Sequence, residues 1–124
     1  MKVEGSIEFS IVERSDARVV AVMPIYSGIK NPFGGVHAGA MLWFADVTAT
    51  MLVIGPVEMT PGMKGFPLAI SLNANFIGNQ TEGTFKATAS FVKRGRTVSV
   101  VRTTVVGDGD KLIADVTTSH VLSK

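Results

Sequence analysis

Apolar and polar positions alternate at both ends of the chain and merge in its middle. Over residues 6–13, Ile7, Phe9 and Ile11 fall on one face, the period of two expected of a half-buried strand. Ser15-Asp16 marks a turn, and the Val-rich run 18–25 predicts a second strand. Residues 27–35 hold three glycines and Pro32 and predict a loop. From 37 to 54 the chain is apolar almost all round, with Met41, Leu42, Trp43, Phe44, Val47, Met51, Leu52, Val53 and Ile54. This predicts a helix about 27 Å long, buried on most sides. Gly55, Pro56, Pro61, Gly62, Gly65 and Pro67 then mark an irregular stretch. Beyond it the period of two returns. Ile70, Leu72, Ala74 and Phe76 define one strand, and Phe85, Ala87, Ala89 and Phe91 the next. Residues 97–106 form a third, with a slip of phase at Val100-Val101 that predicts a bulge. Gly107-Asp108-Gly109-Asp110 predicts a hairpin turn, and 111–122 the last strand.

The order is two short strands, one long buried helix and a four-strand meander, an α+β chain in a single domain spanning 1–124. An antiparallel sheet with one polar face can wrap its other face around a single apolar helix. Composition sharpens this. Hydrophobic residues are 46% and charged residues 18%, which excludes disorder and leaves apolar surface to spare for a homo-oligomer. With no cysteine, disulfides, thiolate metal sites and a Cys nucleophile are excluded. Two histidines, His37 and His120, are too few for a His-rich metal site. A net charge of +2 gives no argument for nucleic acid, while a pI near 9.2 suits a small anionic ligand. Glu4 breaks any signal-peptide pattern at the N-terminus. The one long apolar stretch, 38–57, carries Asp46, which would cost about 2.5–3.5 kcal/mol in a bilayer. A core helix and a cytoplasmic protein, with no membrane partner, are the expectation.

Asp46 is the strongest chemical signal. A carboxylate in an apolar helix is costly unless it is paired, hydrogen-bonded or functional. Thr50, one turn on, shares its face and could hold the carboxylate or a water bound to it. A structural Asp bonded to a loop or a partner subunit is an equal alternative. A second signal is Gly34-Gly35-Val36-His37-Ala38-Gly39, where glycines enter a helix start. Free N–H groups and the positive end of the helix dipole there suit developing negative charge. A thioester or ester carbonyl could sit against the N–H of Ala38 or Gly39 as in an oxyanion hole; a plain loop entering a helix is the alternative. The same dipole end favours a neutral His37. A Ser-His-Asp triad is excluded, because no Ser lies on a Gly-x-Ser-x-Gly turn. Lys93-Arg94-Gly95-Arg96-Thr97 is a basic turn that could hold ligand phosphates or simply be a solvated tip.

Three pieces in order resemble the hotdog-fold acyl-CoA thioesterases, in the branch similar to the phenylacetate-pathway thioesterase. They are Asn31-x-x-Gly34-x-x-His37-x-Gly39 followed by Ala45-Asp46, the strand ending Asn73-Ala74-Asn75-Phe76, and Gly95-Arg96 opening a strand that closes at Asp108-Gly109. The resemblance implies a curved antiparallel sheet around one long helix and an active site at a dimer interface. It implies Asp46 as general base or nucleophile, Asn31 as orienter of water or carboxylate, and His37 as the loop histidine. It implies the Ala38 N–H as oxyanion donor and Thr50 as the hydroxyl near the carboxylate. Asp46 would come from one subunit and the 31–38 loop from the other. Lys93, Arg94, Arg96 and Thr97 would meet the CoA phosphates. The implied reaction is hydrolysis of an acyl-CoA by a homodimer or dimer-of-dimers tetramer, with no cofactor beyond the CoA of the substrate. The family usually has His-Gly-Gly where this chain has His37-Ala38-Gly39, which motivates an alternative, an acyl-thioester binding module without turnover.

Overall fold

In the computed structural model, which describes residues 1–122, the central helix α1 runs Ala38–Ile54. It starts at His37, whose Nδ1 accepts the Gly39 N–H at 2.9 Å, and ends at Gly55, where φ is +73°. Met41, Phe44, Ala45, Thr48, Ala49 and Leu52 recur every three or four residues and are buried. That stripe lies on the sheet. Full burial of a side chain such as Phe44 contributes about 1.5–3 kcal/mol. The other face stays open: Trp43 is 46% exposed, and Asp46 and Val47 are half-buried. One protomer therefore buries this helix on one side, not on most sides.

Six strands form one antiparallel sheet: β1 Ser10–Arg14, β2 Arg18–Pro24, β3 Pro67–Phe76, β4 Thr84–Lys93, β5 Val98–Val106 and β6 Leu112–Leu122. Short 3₁₀ turns occupy Ser27–Ile29 and Asp108–Asp110. Phe85, Ala87 and Ala89 of β4 and Ser99, Val101, Thr103 and Val105 of β5 alternate inward and are buried. The spatial order is β1-β2-β4-β5-β6-β3. The expected four-strand meander is thus corrected. Only β4-β5-β6 follow one another, because β2 takes the free edge of β4 over Arg18–Pro24. β3 is left to close on the far edge of β6. Alternation reports which face a residue shows and says nothing of its neighbour strand.

Two local expectations also shift. The first strand begins at Ser10, not at residue 6. Ser6 N–H bonds to the Gly28 carbonyl, while Ile7 and Phe9 pack against the core and Phe9 meets Trp43 and Phe44 edge-on. Their period of two thus comes from packing outside a ladder. The bulge lies in β4, where the register slips between Phe91 and Lys93 opposite Val101 and Val100. The turn at 107–110 is as expected: Gly109 and Asp110 take positive φ, and Gly107 N–H bonds to the Lys111 carbonyl at 2.8 Å.

Candidate active site

The loop before α1 is shaped by its own backbone. Asn31 N–H bonds to the Gly35 carbonyl at 2.8 Å, and Gly34, at φ +89°, gives its N–H to the Asn31 carbonyl at 3.0 Å. Asn31 Oδ1 accepts from Phe33 N–H (2.9 Å) and Gly35 N–H (3.2 Å). The Asn31 carbonyl group of the side chain is therefore spent on the loop, and only its Nδ2 is free to orient anything else. His37 N–H closes the loop onto the Ile29 carbonyl at 2.7 Å.

At the helix start four N–H groups, those of His37, Ala38, Gly39 and Ala40, have no partner four residues back. Gly39 gives its proton to His37 Nδ1, while Ala40 and Met41 reach the His37 carbonyl at 3.0 and 3.3 Å. The Ala38 N–H alone has no acceptor among the described residues, and Ala38 is exposed. Of the two donors the sequence left open, Ala38 is the unpartnered one. By accepting at Nδ1, His37 keeps its proton on Nε2, which makes it neutral and a donor toward solvent.

Asp46 lies eight residues further along α1, about 12 Å up the axis. Its Oδ1 is buried and has no hydrogen-bond partner among the described residues. The Thr48 hydroxyl donates to the Phe44 carbonyl at 2.6 Å and is not available to it. Thr50 is buried one turn on. The carboxylate is thus capped by none of the described residues of its own protomer.

His120, on β6, is buried to 1% exposure and pairs across from Ser99. Its Nε2 lies 2.8 Å from Thr118 Oγ1, and its Nδ1 has no partner among the described residues. Burial pushes its pKa below the ordinary value, and the charge of Asp46 partly offsets this. Separation along the chain hid this residue. The inward set Val116, Thr118 and His120, in the same period of two that defined the strands, was the available signal.

The basic turn sits at the other end of α1. Arg94 donates to the Asp16 carbonyl and stacks over Phe91, 4.4 Å from the ring centre, so it is already engaged. Lys93, Arg96 and Thr97 are exposed. Arg94, Arg96 and Thr97 line a cavity of about 230 Å³ that also reaches His120 and Gly55. A larger cleft of about 710 Å³ is lined by Ile7, Asn31, His37, Gly39 and Trp43 at the N-terminal end. One protomer thus joins Asn31, His37 and Ala38, and leaves Asp46 and the basic turn apart from them. Among the described residues no cluster of His, Asp or Glu could hold a metal ion, and no helix is long and apolar enough to cross a membrane.

Residues 24–121 match the family described as the acyl-CoA thioesterase N-terminal domain. The chain belongs to this family. This thioesterase is 32% identical over 108 residues to ComA2 of Bacillus subtilis (strain 168), which carries the name of an esterase, with 87% of this chain and 83% of that protein covered. It is 22% identical over 113 residues to the 1,4-dihydroxy-2-naphthoyl-CoA hydrolase of Listeria monocytogenes, covering 91% and 89%. A thioesterase of Staphylococcus aureus, solved in a mutant form, superposes with a TM-score of 0.87 at 27% identity and 95% coverage of both chains. Sheet, helix and relatives agree on the hotdog fold, and the enzyme is an acyl-CoA thioesterase.

Proposed function

We propose that this thioesterase hydrolyses its acyl-CoA at a site shared by two copies of the chain. The carrying observation is a pair of unmet needs. The Ala38 N–H lacks an acceptor and the buried Asp46 Oδ1 lacks a donor, yet about 12 Å of helix separates them in one protomer. A second copy that sets its loop beside Asp46 meets both needs around a substrate. The edge strand supports such a dimer, since Leu68, Ile70, Leu72 and Phe76 of β3 are 41–58% exposed and the outer edge of β3 pairs with no strand among the described residues. A tetramer would pair two such dimers.

The chemistry follows from those atoms. Asp46 takes a proton from water, whose oxygen attacks the thioester carbonyl, and the Ala38 N–H holds the oxyanion. The C–S bond then breaks, and the proton passes from Asp46 to the leaving thiolate. In the rival route Asp46 attacks directly, releases the thiolate and leaves a mixed anhydride for water to open. Thr50 would hold the carboxylate or its water, the Asn31 Nδ2 would orient the water, and His37 Nε2–H would face the substrate. Lys93, Arg96 and Thr97 are free to meet CoA phosphates, whereas Arg94 would first have to leave Asp16. Trp43 in the large cleft, and the aromatic acyl group named for the Listeria relative, favour an aromatic acyl-CoA. That choice is in line with the phenylacetate-pathway branch. Asp46→Asn should cut kcat by at least roughly a hundredfold with an unchanged circular dichroism spectrum. Near-normal thiol release by that variant across an acyl-CoA panel would overturn the mechanism.

A further inference from the structure

The loop carrying the oxyanion donor has a support that lies far away in sequence. Asn79, in the segment crossing from β3 to β4, grips the backbone of Val36 on both sides of its Cα. Its Oδ1 accepts the Val36 N–H at 3.0 Å, and its Nδ2 donates to the Val36 carbonyl at 3.1 Å. The same Oδ1 accepts the Gln80 N–H at 2.9 Å, which fixes the orientation of the amide. The approach is so close that a Cβ on Gly35 would lie 2.8 Å from Nδ2, so Gly35 is the residue that lets the clamp in. The anchor is itself tied down. Ile77 and Gly78 give their N–H groups to the Ile113 carbonyl, and Lys111 Nζ bonds to the Asn79 carbonyl at 3.3 Å.

We propose that Asn79 is a positioning residue for thioester hydrolysis: by holding the Val36 N–H and carbonyl it aims the Ala38 N–H, two residues on, at the developing oxyanion. This rests on the reading of Ala38 given above. The loop's own hydrogen bonds, from Asn31, Gly34 and Gly35, fix its shape. The His37 N–H to the Ile29 carbonyl ties the loop back to its own start, and Asn79 supplies two hydrogen bonds to Val36 from the β3–β4 segment, the contact that fixes where the loop sits against the sheet. An oxyanion donor accelerates a reaction because its direction is set before the charge appears, and a wandering loop loses that advantage.

The test is a cycle of Asn79→Ala, Ala38→Pro and the double variant, assayed on whichever of benzoyl-, acetyl-, hexanoyl- and palmitoyl-CoA the parent hydrolyses fastest. Proline suits the first helical position, and His37 at φ −64° and ψ 136° already has the backbone a residue before proline requires. Ala38→Pro therefore removes the N–H and keeps the helix start. It should lower kcat by about a hundredfold. Asn79→Ala should lower kcat by about tenfold or more with KM within about threefold, measured where circular dichroism shows the variant folded. The double variant should be no slower than Ala38→Pro, because both act through one N–H. Should Asn79→Ala not fold, Asn79→Asp keeps the acceptor toward Val36 and Gln80, loses only the donor, and must also lose kcat. A folded Asn79 variant with parental kcat, or effects that multiply in the double variant, would overturn the proposal while leaving the Ala38 reading intact. A fully active Ala38→Pro would instead bring down the Ala38 reading, and the Asn79 proposal with it.

Discussion

His120 has an imidazole nitrogen without a partner among the described residues and a pKa held below its ordinary value by burial, with the Asp46 charge pulling the other way. Its effect on stability has a definite sign. Above about pH 6.5 the ring is neutral in folded and unfolded chains alike. As pH falls through that value the unfolded chain binds a proton that the folded chain refuses, so stability is lost until the folded pKa is passed. Asp115 acts in a different window: hydrogen bonding to Arg102 lowers its carboxyl pKa, and its contribution is lost only as pH drops below about 4. The melting temperature should therefore fall between pH 7 and 5 in the parent and fall less in His120→Phe. Parallel melting profiles over that range would show that this ring is not the source. Residues of this kind were half legible. Asp46 stood out because a carboxylate in an apolar helix has few explanations, whereas His120 and Asn79 carry meaning only through strand pairings and a loop contact that join distant parts of the chain.

At the scale of elements, hydrophobic period read the helix to within one residue and every strand in kind. It missed the place of β3, because period two encodes a face and not a neighbour. It also overstated the burial of α1. The chain is apolar on both helix faces, but one protomer covers only the stripe through Phe44, Thr48 and Leu52. The two faces should respond differently to truncation. Leu52→Ala opens a cavity between helix and sheet, and urea unfolding should show a loss of about 2–5 kcal/mol. Trp43→Ala removes a side chain that is nearly half exposed and should cost clearly less, despite the larger residue. Equal losses would mean that the open face of α1 is as well packed as the closed one, which would require a cover that the protomer itself lacks.

At the scale of the whole molecule, one protomer leaves an apolar helix face and the β3 edge open. β3 shows Leu68, Ile70 and Leu72 to solvent along an edge that no strand completes, a surface prone to pairing with any exposed strand. In the same protomer, the basic turn and the N-terminal cleft stand at opposite ends of a 17-residue helix, about 25 Å apart. On the proposed mechanism, a substrate meeting Asp46, the Ala38 N–H and the basic turn together calls for two copies of the chain. Replacing Leu72 with Lys places a charge, and its desolvation cost, in the middle of that edge while leaving the buried core untouched. Light scattering should then report a species near the protomer mass of 13.1 kDa, against an integral multiple for the parent. Thiol release should fall along with the oligomer, although circular dichroism and the Leu52 packing are unchanged. A monomeric Leu72→Lys enzyme that turns over at the parental rate would show that each protomer holds a complete site, and Asp46 would then need a donor from within its own chain.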